Sequence, residues 1–142
     1  NQQTNPDAIA KQEVLFRKGL IDFCQRGYLS ALTNFTRAVQ EYSSVRNMVF
    51  VLWSQIRLIS QDNNQYLEGH MELQRIRESV EIFMFENDHN AILKYIYVEI
   101  LLLQNLIEDI EKIMSSLKTI VGGSHIVQEL ERIIATKEKM TV

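Results

Sequence analysis

The sequence predicts an all-α fold, a set of stacked antiparallel helical hairpins with about seven helices. Three observations lead there. Helix breakers are scarce: Pro6 is the only proline, and the five glycines leave long stretches uninterrupted. Apolar residues recur at three- and four-residue spacing along nearly the whole chain, the period of a helix with one buried face. The breaks between these runs are short and polar, and connections that short make neighbouring helices antiparallel.

The first helix begins at Asn5-Pro6-Asp7, where Asn caps, Pro suits the first helical position and Asp favours the positive end of the dipole. It runs to about Gln25 with Val14, Leu15, Gly19, Leu20 and Phe23 in register. Arg26-Gly27 turns the chain into a second helix, about 28–42, with Ala31, Phe35, Ala38 and Val39 on one face, and Ser43-Ser44 ends it. A third helix, about 45–60, is dense in Val49, Phe50, Trp53, Ile56 and Leu58. The polar run 61–64 is a loop, and a fourth helix, about 65–79, aligns Gly69, Leu73, Ile76 and Val80. Residues 81–87 read either as a helical extension or as a buried connection.

From Asp88 to Ile120 no proline or glycine intervenes, and Ile92, Ile96, Ile100, Leu103, Ile107, Ile110, Met114 and Leu117 alternate spacings of four and three. One long coiled-coil helix satisfies that pattern. A break at Gln104-Asn105, with Asn105 capping a new helix and Glu108 completing a capping box, satisfies it too. The break is preferred, because so long a helix is uncommon in so short a domain. Gly122-Gly123 is then a turn, Ser124 a cap, and about 124–139 a final amphipathic helix.

The hairpins repeat. Leu15 and Gly19 are followed by Tyr28, Ala31, Phe35 and Ala38; Phe50 and Ser54 are followed by Tyr66, Gly69, Leu73 and Ile76. This pattern resembles the tetratricopeptide repeat, whose period is about 34 residues and whose second helix carries an Ala-x-x-x-Phe step. The stretch GLIDFCQRGYLSALTNFTRA, Gly19 to Ala38, carries the resemblance best. It is good over 12–45, fair over 46–79 and weak beyond. Asp22 and Arg57 stand where the family usually has an aromatic residue, Trp53 where it has leucine, and no proline closes either repeat. The resemblance implies one domain over 1–142, an α-α superhelix of three hairpins (about 7–42, 45–79 and 88–120) closed by a solubilising helix at 124–139. It also places Phe16, Leu20 and Phe23, with Val51, Gln55 and Leu58 of the second hairpin, on the concave groove that binds peptides in that family.

The charge of −3, from 18 acidic and 15 basic residues with interspersed signs, offers no stripe to neutralise phosphates, so a nucleic-acid partner is not expected. The longest apolar run, Ile100-Leu101-Leu102-Leu103, is far short of the roughly 20 residues that cross a bilayer. Cys24 is the only cysteine and makes no intrachain disulfide. His70, His89 and His125 lack metal-ligand spacing, so no metal is expected. Glu86-Asn87-Asp88-His89 reads as capping residues before a helix, and Gly122-Gly123-Ser124 as a plain turn. No nucleotide fingerprint or hydrolase elbow occurs, so neither catalytic residues nor a cofactor are expected. Among the aromatics, Trp53, Phe50 and Tyr66 are assigned first to the core.

The expected function is therefore a scaffold or adaptor that docks an apolar peptide or helix in a groove lined by Phe16, Leu20, Phe23, Val51, Gln55 and Leu58. Alternatively, those residues only contact the next hairpin or a neighbouring domain. A second reading is a homo-oligomer built on 88–120 as one long helix; a third is a small-ligand sensor. The abundance of Ile and Asn fits an AT-rich, bacterial genome. The chain starts without Met, consistent with a removed leader or a domain cut from a longer protein, and both cytoplasm and periplasm stay open.

Overall fold

The structure, a computed structural model, describes residues 5–61, 70–121, 128, 131 and 132. Among them there are six helices and no strand: α1 (Pro6–Cys24), α2 (Tyr28–Glu41), α3 (Val45–Gln61), α4 (Met71–Glu86), α5 (Ala91–Leu103) and α6 (Ile107–Val121). The chain divides into two compact units, Asn1–Asn64 and Gln65–Val142.

In the first unit α2 packs against both α1 and α3. The Asn5 side chain caps α1, accepting from the N–H groups of Asp7 at 3.0 Å and Ala8 at 3.4 Å, with Pro6 following as expected. The helix closes at Gln25-Arg26-Gly27. The Gly27 N–H reaches the Asp22 carbonyl at 2.8 Å and the Arg26 N–H the Phe23 carbonyl at 3.0 Å, the paired bonds of a Schellman cap. Arg26, and not Gly27, takes the left-handed conformation, at φ 63°. Ser44 does more than end α2: its hydroxyl accepts from the Asn47 N–H at 3.1 Å and caps α3.

The buried face of α2 is Tyr28, Ala31, Phe35 and Ala38. A Cβ at Gly19 would lie 2.5 Å from Cε1 of Phe35, so Gly19 lets that ring lie directly against α1. Val14, expected on the inner face, is 53% exposed. At 100° per residue it stands beside Ala10 and Arg17, turned away from Leu15 and Gly19.

In the second unit α5 packs against α4 and α6. Lying between them, it buries Leu93, Ile96, Tyr97, Val98, Ile100, Leu101 and Leu102, while Ile92, expected in the seam, is turned outward. α4 begins later than expected, at Met71. His70 is extended (φ −69°, ψ 113°), and its Nδ1 accepts from the Leu73 N–H at 3.2 Å. Leu73, Ile76 and Val80 then form the buried face, as their spacing predicted. Residues 81–86 extend this helix, which settles the choice the sequence left between extension and connection.

The long segment is broken, with α5 ending at Leu103 and α6 starting at Ile107. Asn105 sits at φ 59° and terminates α5 instead of capping α6. The Leu106 N–H bonds the Leu101 carbonyl at 2.9 Å and the Asn105 N–H the Leu102 carbonyl at 3.2 Å, a second Schellman cap. A single coiled helix over 88–120 is thereby excluded. Tyr66, Gly69, His125 and the turn at Gly122-Gly123-Ser124 lie outside the described residues. Of the final helix expected over 124–139, residues 128, 131 and 132 are described and helical.

Candidate protein-binding site

The six groove residues stand on α1 and α3. Phe16 is 5% exposed and forms a core with Ala31 and Phe35; Leu20, Phe23 and Val51 pack half-buried against it. Gln55 and Leu58 are half-buried farther along α3. The structure thus brings Phe16, Leu20, Phe23 and Val51 onto one cluster, with Phe16 as its floor.

That cluster is aromatic. Phe16 meets Phe35 at 5.4 Å between ring centroids and Phe50 edge-on at 5.1 Å. Phe23 touches Tyr28 at 5.2 Å, Phe50 at 6.2 Å and Trp53 at 5.0 Å. Aromatic pairs in these arrangements contribute about 0.5–1.5 kcal/mol each beyond area burial. Phe50 and Trp53, assigned to the core from their spacing, are half-buried, whereas Phe16 is buried.

Cations flank the rings. The Arg46 guanidinium lies 3.7 Å above the Phe16 centroid. Arg57 lies 5.7 Å from the Phe23 ring and 5.5 Å from Trp53, and its Nη1 donates to the Tyr28 hydroxyl at 3.4 Å. Asp22 and Arg57, which stand where the resembled family usually has an aromatic residue, therefore have local duties. Arg57 bridges rings of α1, α2 and α3, while Asp22 accepts from Asn34 Nδ2 at 2.9 Å and ties α1 to α2.

Beside the cluster runs a polar network that spacing does not reveal. Asn47 is fully buried, and its Nδ2 donates to Gln12 Oε1 at 2.8 Å and to the Tyr42 carbonyl at 3.0 Å. Arg46 Nη2 donates to Gln12 Oε1 at 3.1 Å and to Glu13 Oε2 at 2.9 Å. The Arg46 hydrogen bond holds the Glu13 carboxyl below its ordinary value, against a smaller opposing push from burial. The network latches α1 to the start of α3.

The second unit has a comparable network. Arg77 donates to Gln104 Oε1 at 3.1 Å, Gln104 Nε2 to Gln74 Oε1 at 3.1 Å, and the Tyr97 hydroxyl to Glu81 Oε2 at 2.8 Å. Burial first, then the Glu81 bond, raises the Tyr97 hydroxyl above its ordinary 10.0. Lys94 is 4% exposed and threads its amine out to Asp88 at 3.3 Å.

No group of three or more His, Cys, Asp or Glu side chains suited to a metal occurs among the described residues. Cys24 is exposed, and His70 is occupied as a helix cap. In the run 86–89, Asn87 closes α4 and Asp88 pairs with Lys94. Asn90, just beyond, caps α5 by accepting from the Leu93 N–H at 3.1 Å. No described helix is long and apolar enough to cross a membrane. A scan against protein-family models gives no match, and neither does a search of curated proteins.

Proposed function

We propose that the chain is a non-catalytic protein-binding module, a scaffold or adaptor of the tetratricopeptide-like kind, which docks an apolar peptide or helix along α1 and α3. What supports this reading is the apolar ridge of Leu20, Phe23 and Val51, half-buried on the Phe16–Ala31–Phe35 core. Leu58 and Gln55 extend it along α3. Contiguous apolar side chains left partly open on a rigid scaffold are the usual mark of an interaction surface. Affinity would come from completing the burial of these side chains, at about 25 cal/mol per Å² of apolar area. Arg57, beside the ridge, would favour an acidic flank on the partner.

The decisive substitution belongs at Leu58. Phe23 makes ring contacts with Tyr28, Phe35, Phe50 and Trp53, so Phe23→Asp would test folding before binding. Affinity capture from source-cell lysate should recover one protein with the native chain and with Lys112→Ala, an exposed control on α6, and lose it with Leu58→Asp. Equal recovery by all three would remove this surface from consideration.

A further inference from the structure

The outer face of α4 presents a regular seam. Met71, Arg75, Glu78, Ile82 and Phe85 follow one another at spacings of four, three, four and three. Met71 is 73%, Ile82 63% and Phe85 91% exposed, so three large apolar side chains stand in water on one stripe. The helix is anchored through its opposite face by Leu73, Ile76 and Val80. Arg75 and Glu78 are exposed, and neither side chain makes a hydrogen bond or ion pair among the described residues.

We propose that this face is a self-association surface, on which α4 pairs antiparallel with α4 of a second copy. The charge pattern selects both occupant and register. With the two-fold axis between Ile76 and Arg77, Met71 meets the partner's Ile82, Arg75 meets the partner's Glu78, and symmetry repeats both pairs. The order apolar–cation–anion–apolar is thus complementary to its own reverse, as an isologous interface requires. The flanking positions agree, since Glu72 comes beside the partner's Ser79 and Glu81 beside the partner's Gln74, so no like charges meet. A parallel pairing would set Arg75 on the partner's Arg75 and Glu78 on the partner's Glu78. An antiparallel axis through Glu78 would again oppose two glutamates. Like-charge opposition specifies pairing in coiled coils, and here it leaves one register. A single pair of helices buries less than a standard interface of about 1,600 Å², so the dimer is weak and reversible.

Charge exchange tests this on the full chain by sedimentation equilibrium over rising concentration, with circular dichroism as a check that each variant keeps its helix content. The native chain should rise in weight-average mass from the 16.6 kDa monomer towards twice that value. Arg75→Glu alone and Glu78→Arg alone should each weaken association at least about tenfold, because each sets like charges face to face twice. An equimolar mixture of the two variants should associate again, since a heterodimer restores both opposite-charge pairs. A native chain monomeric at every concentration would overturn the proposal. So would single variants that associate like the native chain, or a mixture no better than its components.

Discussion

Arg26 closes α1 at φ 63°, a conformation that glycine adopts freely and that costs other residues about 1–2 kcal/mol. Its carbonyl-capping bonds use backbone atoms alone, so they survive substitution. Arg26→Gly should therefore stabilise the chain by about 1 kcal/mol, less a part returned by the looser unfolded state. The urea midpoint should rise with an unchanged slope. Gly19 carries the opposite sign. A methyl group there would press on Phe35, which is fully buried and has no room to withdraw, so Gly19→Ala should cost about 1–3 kcal/mol. Glu13 and Tyr97 each contribute to the pH profile. The Arg46 hydrogen bond favours the Glu13 anion in the fold, so its stabilisation is complete above the unfolded carboxylate value and fades as pH falls through the lower folded one. Glu13→Gln should flatten the acid side of a stability–pH curve. Tyr97 is raised, so its contribution holds below 10.0 and is lost as pH climbs past the folded value. Tyr97→Phe should remove that alkaline loss.

At the scale of the elements, the chain's local signals are strongest where a cap or a breaker sits. Asn5-Pro6 fixes the start of α1, Arg26-Gly27 its end, and the gap at 104–106 separates α5 from α6. The start of α4 was not legible, because histidine is a rare cap and Gly69, just before it, also fits the helical spacing of Leu73, Ile76 and Val80. Asn105 was placed at the right turn in the wrong role. An Asn there suits a left-handed helix end as well as an N-cap, and only the backbone angle decides. The Gln12–Asn47 latch left no trace in periodicity, since polar residues at such positions read as surface until a partner from another helix is known. Asn47→Ala should accordingly be among the most damaging polar substitutions, at about 1–3 kcal/mol, because it strands the Tyr42 carbonyl without its donor and leaves Gln12 Oε1 with the Arg46 bond alone. Chemical denaturation measures it directly.

For the whole molecule, hydrophobic spacing told which face of each helix is apolar, but depth within that face depends on the neighbouring helix. Hence Phe16 proved to be core, while Leu20, Phe23 and Val51 kept part of their surface. All-helical architecture was readable because it follows from period and scarce breakers. The apolar ridge was readable only as a set of residues, since its aromatic floor joins side chains from three helices. Whether this ridge receives another protein is tested by site-specific photo-crosslinking. A photoreactive phenylalanine analogue placed at Leu58, and separately at Lys112, would be irradiated in living source cells. One discrete adduct with a second protein is expected from position 58 and none from position 112. Identical patterns from both positions, or no adduct from position 58 in a folded chain, would contradict it.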